Sequence, residues 1–529
     1  MTEPRIRVLI LTLFLSTSAF GQYIYSPLSR EYDRLQDHPD FESHASIFPR
    51  LQDKWEYHPD TTMRILPYTP WWKRALFHEH FIQVRTKDFD LSIDPLLDLR
   101  IGQDIGAEQP TTYQNTRGVY IQGRIGKEVT FFSSFTENQA RFPAYYHSIA
   151  ADLGVVPGEG KWRGFKETDY DYSNVQGAVT YAPGQFFRFT VGQGKNFFGD
   201  GYRSFFLSDA AFNYPYLKIE TTVWKIKYIN LWSQMLDLRN SVQVNDQYRR
   251  KFTSMHMLSF QATERWNFQL FEAVVYRSDT MNRGIEVSYF NPVILYRPVE
   301  FANRSSAANV LLGFGTSYQP WKGAKLYGQI ILDEFVLKEL RDEPGSWRNK
   351  YAFQLGYFER NAFKVKNLDI RLEYNYARPY TFQHDRPLSN YAHYAQPLAH
   401  PWGANLWEGL FRLNYQYRRW VGSAHFSYGL QGLDGSNENW GGDPYKPYDT
   451  REQSDNNKVG QGNRFTRTYM EGSIAYIVNP AYNLRVEAGG IYRRTTIETT
   501  FPGSNYNPDP TLYFYLGLRT GLFNRYYDL

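Results

Sequence analysis

Residues 119–135, VYIQGRIGKEVTFFSSF, decide the fold. Val119, Ile121 and Ile125 alternate with Tyr120, Gln122 and Arg124, and Val129, Phe131, Ser133 and Phe135 follow the short turn Gly126-Lys127-Glu128. Successive side chains of a strand point to opposite faces, so a period of two marks strands, and a tight turn between two such runs marks a hairpin.

The same period extends upstream, where Leu91, Ile93, Leu97, Leu99 and Ile101 share one face and Ser92, Asp94, Asp98 and Arg100 the other. Downstream, a long loop over 143–172 precedes strands at 173–181 and 186–193, joined by a short turn at 182–185. Further tight turns fall near Trp224-Lys225, Thr263–Asn267, Gln319–Ala324, Arg360–Asn367, Tyr417–Trp420 and Asn479–Tyr482. They alternate with long loops near 194–216, 237–251, 277–307, 377–406 and 431–464.

Short periplasmic turns and long extracellular loops are the pattern of an all-β transmembrane outer-membrane β-barrel, and counting from Leu91 predicts about 18 antiparallel strands. Phe81–Thr86 is a candidate for one more. The last strand, in which Leu512, Phe514, Leu516 and Leu518 alternate with Tyr513, Tyr515, Gly517 and Arg519, reads as ending in Phe523 and Tyr526-Tyr527. A soluble propeller or sandwich would need more even strand spacing.

Composition agrees. The 529 residues include 43 Tyr, 38 Phe and 13 Trp, and 18% are aromatic. The mean hydropathy is nevertheless −0.56. A polar average with abundant aromatics suits strands that alternate lipid-facing and lumen-facing residues between aromatic girdles. Cysteine is absent, which removes disulfides and thiolate metal sites. With 59 Lys+Arg against 54 Asp+Glu and no basic stripe, nucleic acid is not an expected partner.

The basic Arg5 and Arg7, the apolar Val8–Leu15 and Ala19-Phe20-Gly21 read as a signal peptide over 1–21. Residues 22–80 lack alternation and read as a periplasmic extension or plug, with a short helical piece near Glu31–Gln36. The barrel then occupies 81–529. His38, His44 and His58 are spaced too irregularly for a metal site.

Gly192-Gln193-Gly194-Lys195 lacks the spacing of a phosphate loop. Asp200, Asp209 and Glu220 could serve as glycosidase carboxylates only at a separation that sequence does not give. His147-Ser148 and His425-Phe426-Ser427 offer adjacency without a nucleophile elbow. The Asp-rich 434–455 lacks calcium-loop periodicity and reads as flexible surface. No catalytic residue, metal or cofactor is expected.

Candidate ligand-binding residues cluster in two outward loops. Lys195, Asn196, Arg203, Asp209 and Asn213 lie in the first, where Gly194, Gly199 and Gly201 permit tight folding; the same groups could instead form an internal brace that constricts the barrel. Arg378, Tyr380, Trp402 and Asn405 lie in the second, beside His384, Tyr391, His393 and Tyr394. Flat rings cover the apolar faces of sugars while amides, carboxylates and guanidinium groups bond hydroxyls. The bland reading of these aromatics is an interfacial girdle and packing inside the mouth.

Residues 194–232, GKNFFGDGYRSFFLSDAAFNYPYLKIETTVWKIKYINLW, resemble the central block of the gliding-motility RemB-like outer-membrane proteins, within the broader capsule-assembly (Wzi-like) group. The blocks at 115–143, 288–301 and 378–408 resemble the same proteins. The resemblance implies a Bacteroidota-type outer-membrane barrel of about 18 strands. It also implies a role in attaching capsular polysaccharide or in surface gliding, with outer-membrane lipid, surface polysaccharide and gliding or secretion machinery proteins as partners. The expected function is non-enzymatic binding or organisation of cell-surface polysaccharide. The alternatives are a porin-like channel and an outer-membrane hydrolase of glycan or lipid.

Overall fold

The structure, a computed structural model, describes residues 24–26, 28–31, 44, 47–52, 69–166, 168–239, 243, 247–277, 287–292, 308–342, 345–498, 510–521 and 523–529. The expected signal peptide, most of the expected helical piece near Glu31–Gln36, His38, His58 and most of the 277–307 loop lie outside the described residues.

Eighteen antiparallel strands close into a barrel. They are β1 (Phe89–Ile105), β2 (Thr111–Ile125), β3 (Val129–Arg141), β4 (Asp169–Tyr181), β5 (Phe187–Gly194), β6 (Tyr214–Val223), β7 (Ile226–Asp237), β8 (Arg249–Gln261) and β9 (Trp266–Arg277). There follow β10 (Asn309–Tyr318), β11 (Ala324–Glu334), β12 (Lys350–Glu359), β13 (Leu368–Ala377), β14 (Leu406–Tyr417), β15 (Trp420–Leu433), β16 (Asn463–Asn479), β17 (Leu484–Glu498) and β18 (Thr511–Thr520).

The seam joins β18 to β1, from Leu512 opposite Ile105 to Arg519 opposite Asp98. Because β18 is shorter than β1, the lower edge of β1 would be left open. Ile82–Arg85 pairs there with Asp90–Ile93, so the candidate extra strand patches an edge rather than adding a nineteenth stave. Closure removes the exposed backbone groups that hydrocarbon cannot satisfy.

Alternation sets the two faces. Ile101, Val191, Leu355, Ile474 and Leu516 point outward and are more than half exposed, whereas Asp98, Gln114, Asn138 and Glu408 point inward and are buried. Exposed Trp224, Trp266, Trp321, Phe363 and Trp420 all stand at the short-turn end, forming the aromatic belt expected at a membrane interface.

Residues 143–172 are not simply a loop. Helix α1 (Ala144–Leu153) lies over the mouth: the Ala144 amide donates to the Asp104 carboxylate at 2.8 Å, and Gly154, at φ +66°, ends the helix in the left-handed conformation. Its Tyr145, Tyr146 and Ala150 pack with Phe142, Tyr170 and Tyr172. The Asp-rich loop 434–462 is likewise organised rather than flexible surface, because the Asp434 carboxylate accepts from the amides of Trp440, Gly442 and Asp443 at 2.6, 3.3 and 3.0 Å.

The last strand also departs from expectation. It stops at Thr520, and the described residues beyond it, 521 and 523–529, turn inward instead of continuing in the wall. Phe523 packs with Tyr120, Arg525 pairs with Asp98 at 2.8 Å, and the Tyr145 hydroxyl donates to the Tyr527 carbonyl at 3.0 Å under α1.

Replacing Leu516, midway along β18 on the lipid face, by arginine is expected to destabilise the inserted barrel by roughly 2–4 kcal/mol. Denaturant unfolding in lipid vesicles measures this, with a cost below about 1 kcal/mol placing Leu516 away from the hydrocarbon midplane.

Candidate functional site

The 195–213 loop leaves the long-loop end and dips through the lumen. Near its tip Asp200 pairs with Lys325 at 3.0 Å and accepts from Gln269 at 3.1 Å; both partners lie near the short-turn ends of their strands. Two glycines make the descent possible. Gly199 adopts φ +148°, and a Cβ on Gly201 would lie 2.5 Å from the Arg203 carbonyl oxygen and 2.7 Å from Glu373. Gly194 ends β5 and would meet nothing closer than 3.7 Å.

Glu373 receives the tip. Its carboxylate accepts from the amides of Tyr202 and Arg203 at 2.7 and 3.0 Å, and from Tyr327, Gln354 and Asn375 at 2.9, 3.0 and 3.0 Å. The Arg203 side chain, 1% exposed, then bridges two carboxylates: Nη2 lies 2.8 Å from Glu408 and 2.9 Å from Asp528. Glu408 also receives His400 at 2.8 Å. Asp209 binds the same inward segment, accepting from Asn524 at 2.8 Å and the Tyr526 hydroxyl at 2.5 Å. Arg30 joins this knot through the Tyr202 carbonyl at 2.8 Å and an ion pair with Asp209 at 3.8 Å.

Around the knot the lumen has two characters. On the side walled by β6–β13 it is a packed apolar core: Phe198, Phe205, Phe206 and Leu207 of the loop meet Met255, Met257, Phe271, Leu311 and Ile331 of the wall. Phe206 stacks on Phe271 with ring centroids 5.0 Å apart. On the β14–β18 side the interior is charged, and a cavity of about 630 Å³ opens toward the long-loop end. Tyr145, Lys195, Trp402, Phe465, Arg467 and Arg493 are among its walls, and Ser148, Asp152 and Leu153 of α1 are exposed at its rim.

The structure thus distributes the nine candidate residues. Lys195 and Trp402 line the cavity. Lys195 donates to the Asp209 carbonyl at 3.0 Å, and burial pulls its pKa below the usual lysine value despite nearby Glu159 and Asp209. Arg203 and Asp209 are committed to the internal knot. The Asn196 amide donates to the Tyr214 hydroxyl at 3.1 Å and Asn213 Nδ2 donates to Asn174 at 2.7 Å, and neither Asn196 nor Asn213 lines the cavity. In the second loop, buried Tyr380 donates to the Asn439 carbonyl at 3.2 Å and Arg378 to the Ser346 carbonyl at 3.3 Å. Asn405 ties Gly432, Trp440 and Gln461 through their carbonyls at 3.0, 3.1 and 3.0 Å. These contacts lock the loop into the mouth, so its aromatics pack inside rather than form a girdle.

Arg467, Arg493, Arg525 and Asp528 were not singled out by sequence. Phase along β16 does place Arg467 on the lumen side with Phe465 and Tyr469, but no periodicity reveals that its neighbours are a tryptophan and a second arginine. Among the described residues, no group of three or more His, Asp or Glu is arranged to hold a metal.

The chain is a transmembrane barrel of the outer-membrane type. No known protein family and no curated protein sequence matches it. Among solved structures it is similar to Wzi, an outer-membrane protein involved in group 1 capsule assembly in Escherichia coli and a carbohydrate-binding β-barrel. That likeness has a TM-score of 0.55 at 12% identity and covers 94% of this chain and 99% of that one. OprD of Pseudomonas aeruginosa aligns with TM-score 0.42 at 11% identity over 84% of this chain and 96% of its own. OccAB2 of Acinetobacter baumannii aligns with 0.43 at 9% over 81% and 97%.

Two outcomes are expected. Removing Arg203 strands two buried carboxylates, so Arg203→Ala should cost roughly 3–5 kcal/mol in denaturant unfolding, and a loss under about 1 kcal/mol would show that water replaces the guanidinium. The second concerns acid. His393 Nδ1 accepts from the Leu236 amide at 3.1 Å and Nε2 donates to the Asn213 carbonyl at 3.2 Å, a pattern only the neutral ring can make. Burial pulls its pKa down to about 3. The unfolded chain takes up this proton near pH 6.5 and the folded one does not, so stability falls as pH drops from about 6.5 toward 3. Unfolding measured at pH 7 and pH 4 should show that decline, reduced in His393→Gln; identical slopes in the two proteins would exclude His393 as a source.

Proposed function

We propose that this protein binds or organises cell-surface polysaccharide at the outer membrane without catalysing its conversion, in support of capsule assembly or gliding. One observation carries the reading. The lumen is crossed by the chain's own buried segments, and a cavity with aromatic and cationic side chains in its walls faces outward. Stacking faces beside fixed polar groups are what sugar rings require. The fold-level likeness to Wzi, a carbohydrate-binding β-barrel, supports the same reading, and the resemblance of 194–232 to RemB-like proteins supports the gliding branch, with motility or secretion proteins as partners.

A porin-like channel is the competing proposal, and it needs a continuous aqueous path. Planar-bilayer recording on purified protein should show no stable open conductance. Cells lacking the protein should shed polysaccharide that wild-type cells retain. A steady ohmic channel together with unchanged polysaccharide retention would overturn the proposal in favour of transport.

A further inference from the structure

The cavity under α1 is walled by a guanidinium with two donor atoms that find no acceptor among the described residues. Arg467 is more than nine-tenths buried. Its guanidinium carbon sits 3.9 Å from the Trp402 ring centroid and 4.9 Å from that of Phe465. Its Nε and Nη1 donate no hydrogen bond. The nearby carboxylates of Glu408 and Asp528 are already engaged by Arg203.

A second cation stands beside it. Arg467 pairs across the sheet with Thr495, so Arg493 is its diagonal neighbour on the lumen face of β17. Arg493 lies over the Tyr145 ring at 4.9 Å and donates from Nη2 to a main-chain oxygen of Leu529 at 3.3 Å, while its Nε is unbonded. Two guanidinium groups sharing a sheltered wall repel each other, and buried donors without acceptors are costly. Both costs are relieved by an anion between them, and the planar guanidinium fork matches a carboxylate bidentately.

Resting on the polysaccharide reading above, we propose that this cavity is a binding site for an acidic sugar residue, with the carboxylate held by Arg467 and Arg493. The surroundings choose a sugar carboxylate over a bare ion. Phe465, Ile497, Pro401 and Leu529 give the cavity apolar walls next to the charges, which suit the apolar face of a pyranose ring and offer nothing to a hydrated inorganic anion. The volume of about 630 Å³ admits more than one sugar ring, and the opening at Ser148 and Asp152 faces the side from which a surface chain would enter.

The test is calorimetric titration of the purified full-length barrel in detergent with trigalacturonate, maltotriose and inorganic phosphate. The expected result is binding of trigalacturonate at least tenfold tighter than either comparator. Arg467→Gln should lose at least tenfold for trigalacturonate, with Arg467→Lys recovering part of the loss. Heat-modifiable gel mobility verifies the folded barrel in each variant, and the comparison among the three probes stands on the wild-type protein alone should a variant misfold. Equal binding of maltotriose or phosphate, or an Arg467→Gln protein that binds trigalacturonate as wild type does, overturns the site. Cells carrying Arg467→Gln that keep their polysaccharide while the purified variant loses trigalacturonate overturn this cavity's role and leave the polysaccharide reading standing. Loss of polysaccharide retention in neither the deletion nor the variant overturns both.

Discussion

A single buried guanidinium holds the interior together. Arg203 comes from a loop that enters from outside, Glu408 from the barrel wall, and Asp528 from the segment that follows the last strand. An isolated charge taken from water into such a setting is strongly disfavoured, and only close, well-oriented counter-charges offset that cost. The three parts must therefore meet together or not at all. Glu373 enforces the meeting by gathering the loop's backbone amides, and Gly201 permits it by leaving no side chain where the loop presses on Glu373.

That constraint also divides the lumen. Once Phe205 and Phe206 are carried down beside Arg203, they have to be covered, and the inward residues of β8, β9 and β11 supply methionines, a phenylalanine and an isoleucine where a water-filled barrel would carry polar groups. The opposite half keeps its charges and its cavity. The cavity and the main apolar core thus stand on different sides of one barrel, with Lys195 and Trp402 at the cavity and Arg203 and Asp209 in the knot between them.

The legible part of the fold was the part that repeats. Alternation over Leu91–Ile101 and Val119–Phe135, with short turns such as Trp224-Lys225, is local and survives any tertiary detail. The count of 18 followed from it. Interior segments obey no period. Phe523 and Tyr526-Tyr527 look like the end of a closing barrel strand, and only the carboxylates and guanidinium groups in the lumen explain why Tyr526 and Asp528 turn inward. For the same reason Arg203 and Asp209 were legible either as ligand groups or as an internal brace, and only their partners Glu408, Asp528, Asn524 and Tyr526 decide for the brace. Arg467 was hidden because an inward arginine on a barrel strand is ordinary until its unbonded Nε and Nη1 are seen.

The seam acquires a further property from the segment that follows it. β18 pairs with β1 from Leu512 to Arg519 and then passes directly into the residues that reach Arg203. A slip of two residues along that seam would preserve which side chains face lipid, so alternation alone does not forbid it. It would also move Asp528 by about 7 Å, well outside ion-pair range of the guanidinium. The lumen therefore acts as a ruler for the wall: the correct circumference and stagger of the cylinder are read out by whether one carboxylate arrives.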